Sequence, residues 1–236
     1  MVRWNRSIQM EERLGYKGKI VYMWGRPYYK ATYEGREIKL PIIHRDSRIV
    51  GGVCLGQYPR EAFFVGPEST SLERLRGDVE RRASYGGHLR RDMVLEAIYK
   101  TVRENMKPDE RAVERLVSRY ELGEDGLVSL GLFIQEGVGV CRHFAATCGA
   151  LIELFGKDKN LRKARNHLRG KASMDRNSTE RGGHTWTRYR SKEGPVVILD
   201  VAQDFFGMLG DPETQRKIGD GKLWPYNRPD DLLYYF

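Results

Sequence analysis

Hydrophobic positions along this chain change their spacing three times, and each spacing predicts a different element. Residues 16–50 carry Tyr, Ile and Val in short stretches punctuated by Gly and Pro, and the run from Thr32 to Leu40 alternates about a Glu34-Gly35 turn signal, which predicts one or two β-hairpins. Between 47 and 72 the pattern breaks into Gly51-Gly52, Pro59, Gly66-Pro67 and a Ser/Thr cluster. That is loop chemistry, and it places a boundary between a β-rich N-terminal region, 1–72, and the remainder, 73–236. A helical period then takes over. Leu89, Met93, Ala97, Ile98, Thr101 and Val102 form one stripe that predicts a helix over 88–105, and Pro108 ends it. Ala112, Val113, Leu116 and Val117 predict a second helix over 109–120.

The third pattern carries the chemistry. Gly137 and Gly139 lead into Cys141, which begins an apolar run in which Phe144, Cys148, Leu151, Ile152 and Phe155 fall on one stripe. This predicts a helix over 141–155 with Cys141 in its first turn. There a thiol meets unpaired amides and the positive end of the helix dipole, which favour the thiolate. The glycines would allow a substrate backbone to approach, with Gly139 the nearest. The competing reading is a small buried helix residue, because free cysteine is among the most buried types. Cys148, two turns deeper in the stripe, reads as structural. Cys54 also follows two glycines, yet no helical stripe follows it before Pro59.

A nucleophilic thiol needs a base, and His184 stands at the head of a β-branched and aromatic strand, Thr185-Trp186-Thr187-Arg188-Tyr189. A second, nearly continuous apolar run, Val196-Val197-Ile198-Leu199-Asp200-Val201, contains one acid, and a buried carboxylate requires a partner. If these strands form a hairpin with His184 directly opposite Asp200, the connection must hold an odd number of residues, such as 191–193 or 190–194. A four-residue loop at 191–194 would turn Asp200 to the other face. The remaining histidines are less suited to the role of base. His143 follows Cys141 on the helix and points elsewhere, His88 and His167 lie in charged stretches, and His44 has no matching nucleophile.

Composition narrows the class. The chain of 236 residues is 40% hydrophobic and 31% charged, the profile of a globular protein with a real core, and no 18 apolar residues follow one another. Charges are scattered through the N-terminus where a secretory signal would need an apolar run, so a soluble, cytoplasmic protein is expected, with no membrane partner. Three cysteines without a CxxC pair indicate neither a disulfide framework nor a cysteine zinc site, and no metal or cofactor is expected. The net charge of +9 attracts acidic partners. Nucleic acid is the less favoured of these, since the basic runs 74–91 and 157–169 lack regular aromatic interleaving. The polar stretch 156–183 is expected to be a solvated insertion or a flap, and Leu223 to Tyr226 carry apolar surface suited to docking.

Taken in order, Gly139-Val140-Cys141-Arg142-His143-Phe144-Ala145, His184-Thr185-Trp186 and Leu199-Asp200-Val201-Ala202 resemble the transglutaminase-like superfamily, the branch of papain-fold thiol enzymes with Cys on a helix, His on a strand and Asp on the next strand. The resemblance covers about 85–205. It implies an α+β fold in which a nucleophile helix packs on an antiparallel β-sheet, and acyl transfer through a Cys141-His184-Asp200 triad, with a protein or peptide as substrate. Hydrolysis of a peptide or side-chain amide is the leading activity, with protein-glutamine crosslinking and peptide N-glycanase-like chemistry as alternatives. The oxyanion would be held by the Cys141 amide and one further donor. Gln135 is the candidate, because papain-like enzymes place a glutamine at that offset, while Trp186 packs beside the histidine. From another class, a non-catalytic basic module binding an acidic protein or nucleic acid fits the charge alone.

Overall fold

The structure, a computed structural model, describes residues 16–23, 26–33, 36–56, 61–119, 126–158, 161, 167–180, 182–192 and 194–228. The Glu34-Gly35 turn, Pro59 and most of the basic run 157–169 lie outside the described residues. The fold is α+β. Strands β1 (Tyr16–Met23), β2 (Arg26–Tyr33) and β3 (Arg36–Pro41) form the two expected hairpins, with Ile20 opposite Tyr29 and Tyr29 opposite Leu40. The sheet they begin is extended by β4 (Val53–Cys54), β5 (Ala62–Phe64) and β9 (Gly126–Ser129), in the order β3-β2-β1-β9-β5-β4. Because β9 comes from beyond residue 72, chain on both sides of that point shares one sheet.

Helices α1 (Thr70–Ala83), α2 (Arg91–Asn105), α3 (Glu110–Arg119) and α4 (Leu130–Glu136) surround α5 (Cys141–Lys157). Helix α2 bears out the stripe read over 88–105, except that His88-Leu89 pairs with Ser84-Tyr85 as the short strands β7 and β6 before the helix begins. Strands β8 (Lys107–Pro108) and β10 (Val138–Gly139) pair in parallel just ahead of α5. Twelve of the seventeen residues of α5 are buried, on all sides rather than one, so it is the central helix of the core. Gly149 at its middle lets the Ile49 side chain seat directly on the helix: a Cβ there would force the Ile49 terminal methyl to move. Truncating Phe144 or Phe155, both buried, costs about 3–5 kcal/mol.

One flank of α5 lies on a second sheet, β11 (Gly170–Thr179), β12 (Gly182–Ser191), β13 (Val196–Asp200) and β14 (Phe205–Met208), antiparallel and paired in sequence order. Thr187, Tyr189 and Leu199 face α5, where the Thr187 hydroxyl donates to Ala145 O at 2.8 Å. Trp186, Ile198 and Val196 face the other way, into an apolar cluster closed by Trp224 and Tyr226 beyond α6 (Pro212–Gly219).

Two expectations are corrected here. The stretch 156–183 is not a flap: 170–179 is the ten-residue strand β11, with Ala172 to Asp175 buried. Its polar residues are buried because Arg228 forks onto the Asp175 carboxylate, with Nε donating to Oδ2 at 2.7 Å, and reaches the Ser173 hydroxyl at 2.9 Å. The connection between β12 and β13 is 191–195, odd as expected, but Arg190 stands opposite Val196 and Thr187 opposite Leu199. Asp200 therefore shares the row of Trp186, two residues from His184 and on the same face. Among the described residues no helix is long and apolar enough to cross a membrane.

Candidate active site

Strand β12 runs past its last β13 partner, Thr187, so its first five residues pair with β11 alone, and His184 sits on this overhang opposite Asn177. From there the imidazole reaches two groups. Its Nε2 lies 2.6 Å from Asp200 Oδ2, the diagonal neighbour at the end of β13. Close by stands the Cys141 thiol, at the first position of α5, which interacts electrostatically with the ring, and with Nε2 committed to Asp200 it is Nδ1 that is left for sulfur. Cys141, His184 and Asp200, placed by the sequence on one helix and two strands, are brought together.

The electrostatics follow from these contacts. Burial works against the Cys141 thiolate, but His184 and the backbone N–H groups of Thr185 and Arg142 oppose it and hold the thiol below its ordinary value. Burial equally opposes charge on His184, yet Asp200 and Cys141 push its pKa up to about 9. Both shifts run in the direction that favours thiolate beside imidazolium. The other thiols go the opposite way: desolvation lifts buried Cys54 to about 11 and lifts buried Cys148 further. Cys141 alone is partly exposed.

Asp200 is itself held in place. Its Oδ1 accepts from the Gln203 amide at 3.1 Å in the turn that ends β13, and its Oδ2 accepts from the Tyr226 hydroxyl at 2.8 Å. The Trp224 ring lies 4.8 Å and the Trp186 ring 6.0 Å from the imidazole, forming an aromatic wall. Both indole N–H groups are buried without a hydrogen-bond partner. Trp186 thus packs beside the histidine, as expected. Trp224 and Tyr226 were visible only as apolar surface in search of a docking place.

Behind the thiol lies a cluster that sequence reasoning missed. His143 is fully buried between Phe133 and Phe63, with ring centroids 4.1 and 4.7 Å away, and its Nδ1 accepts from the Val140 amide at 3.1 Å, which caps the helix end that carries Cys141. Its Nε2 stands 2.9 Å from Glu61 Oε1. Glu61 also pairs with the buried Arg142 guanidinium and accepts from it through its backbone oxygen at 2.7 Å. Burial drives the His143 pKa down to about 4, so this imidazole is neutral. The only sequence signal was a histidine and an arginine on an otherwise apolar helix.

Two candidates take other roles. Gly139 is buried, and a Cβ there would press on His143, Met106 and Phe144 at 3.0–3.3 Å, so the absent side chain also serves packing under α5. Gln135 is exposed in the last turn of α4, and among the described contacts none joins it to Cys141 or His184. Among the described residues no three His, Cys, Asp or Glu side chains gather as metal ligands would. Comparison of the chain with family models, with curated proteins and with solved structures gave no match in any of the three.

Proposed function

We propose that this protein is a thiol enzyme that transfers acyl groups through Cys141, His184 and Asp200, with amide hydrolysis as its reaction. The observation that carries this reading is the His184 imidazole held 2.6 Å from Asp200 Oδ2 beside the Cys141 thiol at the start of α5, an arrangement in which the thiol is shifted down and the imidazole up. The helix-borne thiol, strand-borne base and acid on the next strand also support a papain-like, transglutaminase-like core for the region around α5 and the β11–β14 sheet.

In this mechanism the Cys141 thiolate attacks the amide carbon. The oxyanion forms beside the Cys141 backbone N–H, which at the first position of α5 has no intrahelical acceptor. The C–N bond then breaks as imidazolium His184 gives its proton to the departing amine, leaving a thioester on Cys141. His184 next takes a proton from water as the water oxygen attacks the thioester, and the C–S bond breaks to release the carboxylic acid and restore the thiolate beside imidazolium His184. Asp200 keeps the ring turned so that the nitrogen facing sulfur is the one that transfers protons. An amine in place of water would complete the same half-reaction as a crosslink.

The test is alkylation of each cysteine by iodoacetamide across pH, read by peptide mass spectrometry, in wild type and His184→Ala. The expected result is selective labelling of Cys141 well below the ordinary thiol range, lost in the variant. A folded wild type whose Cys141 reacts no faster than Cys54 would overturn the proposal.

A further inference from the structure

At the far end of α5 from Cys141 lies a cavity of about 1420 Å³, which none of the three proposed catalytic residues lines. Its wall holds nine Lys or Arg side chains against three Asp or Glu. Those three acids are already engaged. Asp46 pairs with Arg228, Asp92 with Arg90, and Glu153 with Lys157 and the amides of Ile49 and Val50. The cations are not balanced in return: Arg91, Arg169, Lys171 and Lys192 are exposed and have no ion pair among the described residues.

The strand register concentrates the charge. Lys171 stands directly opposite Arg190, and Lys192 donates its amide to Arg169 O two rows further on, past Gly170 and Ser191. Like charges facing each other across an antiparallel pair destabilise it, so Arg169 beside Lys192 is a cost to folding that an anion at this site relieves. Residues 170–173 of this wall belong to β11, the edge strand of its sheet, which among the described residues is hydrogen-bonded to β12 on one side only. An edge of this kind offers backbone donors and acceptors to an added extended chain.

We infer that this cavity binds an extended acidic polypeptide segment, which lies along β11 and sets its carboxylates against the guanidinium and ammonium groups of the wall. Arginine forks suit carboxylates in bidentate geometry. Nucleic acid fits less well, because Tyr189 is the one Phe, Tyr or Trp in the lining and it is buried, which leaves only the half-buried His167 imidazole for stacking. The site stands apart from the thiol chemistry proposed above.

The experiment is fluorescence anisotropy with a labelled polyglutamate peptide, and with polyglutamine and oligothymidylate as comparators, on the full chain. Lys171→Glu with Lys192→Glu is the test variant. Arg111→Glu with Arg115→Glu, exposed on α3 and outside the cavity, makes the same change in net charge elsewhere. Polyglutamate is expected to bind and polyglutamine not, with affinity reduced by roughly tenfold or more in the test variant and far less in the α3 variant. Cys141→Ser is expected to bind as wild type does, so this outcome does not depend on the alkylation result. Equal weakening in both charge variants would mean a diffuse field rather than a site. Tighter binding of oligothymidylate, lost in the same test variant, would make the ligand a nucleic acid. Either result, or no binding of polyglutamate, overturns the inference.

Discussion

Two buried histidines flank the first turn of α5, each with a nitrogen within 3 Å of a carboxylate oxygen, and they are driven in opposite directions. His184 rises to about 9 and His143 falls to about 4. Burial disfavours the cation in both. The difference lies in what else each carboxylate serves. Glu61 is the counterion of buried Arg142, whose positive charge also bears on His143, and two phenylalanine rings enclose that imidazole. Asp200 receives only neutral donors besides His184, the Tyr226 hydroxyl and the Gln203 amide, and its full charge acts on the ring. A thiol inclined to ionise waits on the other side. A histidine–carboxylate pair is therefore not in itself a catalytic device. It becomes one where the acid has no other cation and the second nitrogen faces a group that exchanges protons.

The largest break in this comparison is Glu61→Ala. It strands Arg142 in the core without its partner, and urea unfolding should register a loss of about 3–5 kcal/mol. A loss below about 1 kcal/mol would mean that Arg142 finds another acceptor, and the contrast between the two pairs would weaken. Next is Asp200→Asn, which keeps the shape of the site and removes its charge. NMR titration should show the His184 pKa falling from about 9 toward the ordinary 6.5, and Cys141 alkylation at pH 6 should slow by roughly tenfold or more. An unchanged His184 titration would detach Asp200 from the pair.

Tyr226→Phe deletes one hydrogen bond to a buried carboxylate, with an expected loss of about 1–2 kcal/mol in urea unfolding and a persistent low-pH reactivity of Cys141. Loss of that reactivity would promote Tyr226 from anchoring Asp200 to controlling His184. The smallest effects are in pH slopes. Between about 4 and 6.5 the unfolded chain binds a proton that folded His143 refuses, so this group makes the protein less stable as pH falls through that window. His184 acts inversely, with stability present below 6.5 and lost as pH rises to about 9. The depressed Cys141 thiol adds stability above its unfolded value of 9.0 and loses it as pH falls through its lowered one, which offsets the His184 slope. Denaturation at a series of pH values should therefore show a steeper alkaline decline in Cys141→Ser than in wild type. Parallel curves would uncouple the two residues.

Local periodicity carried the reading a long way. The stripe beginning at Cys141 announced α5 and its start, and the apolar runs after His184 and before Asp200 announced β12 and β13 along with the parity of their connection. The register was missed by two residues because parity is set by which face is buried, whereas the absolute offset depends on the loop, and Gly194-Pro195 marks a turn without fixing how many residues it takes. Strand β11 was missed for a related reason. Ser173 and Asp175 look like surface, and they are buried only because Arg228, more than fifty residues later, satisfies them. Glu61 was invisible on the same grounds. Polar pairs across long separations leave no repeating pattern, so the supports behind the site emerged only once the chain was folded.

The segment that closes the Asp200 face, Trp224 to Arg228, follows every member of the proposed triad in the chain. Cys141, His184 and Asp200 all leave the ribosome before the ring that walls the imidazole, the hydroxyl that anchors the carboxylate and the guanidinium that locks β11. A nascent chain exposed only through Asp200 thus holds its thiol, base and acid without these supports. Completion of the Asp200 face and of the β11 lock therefore waits until synthesis has passed Arg228.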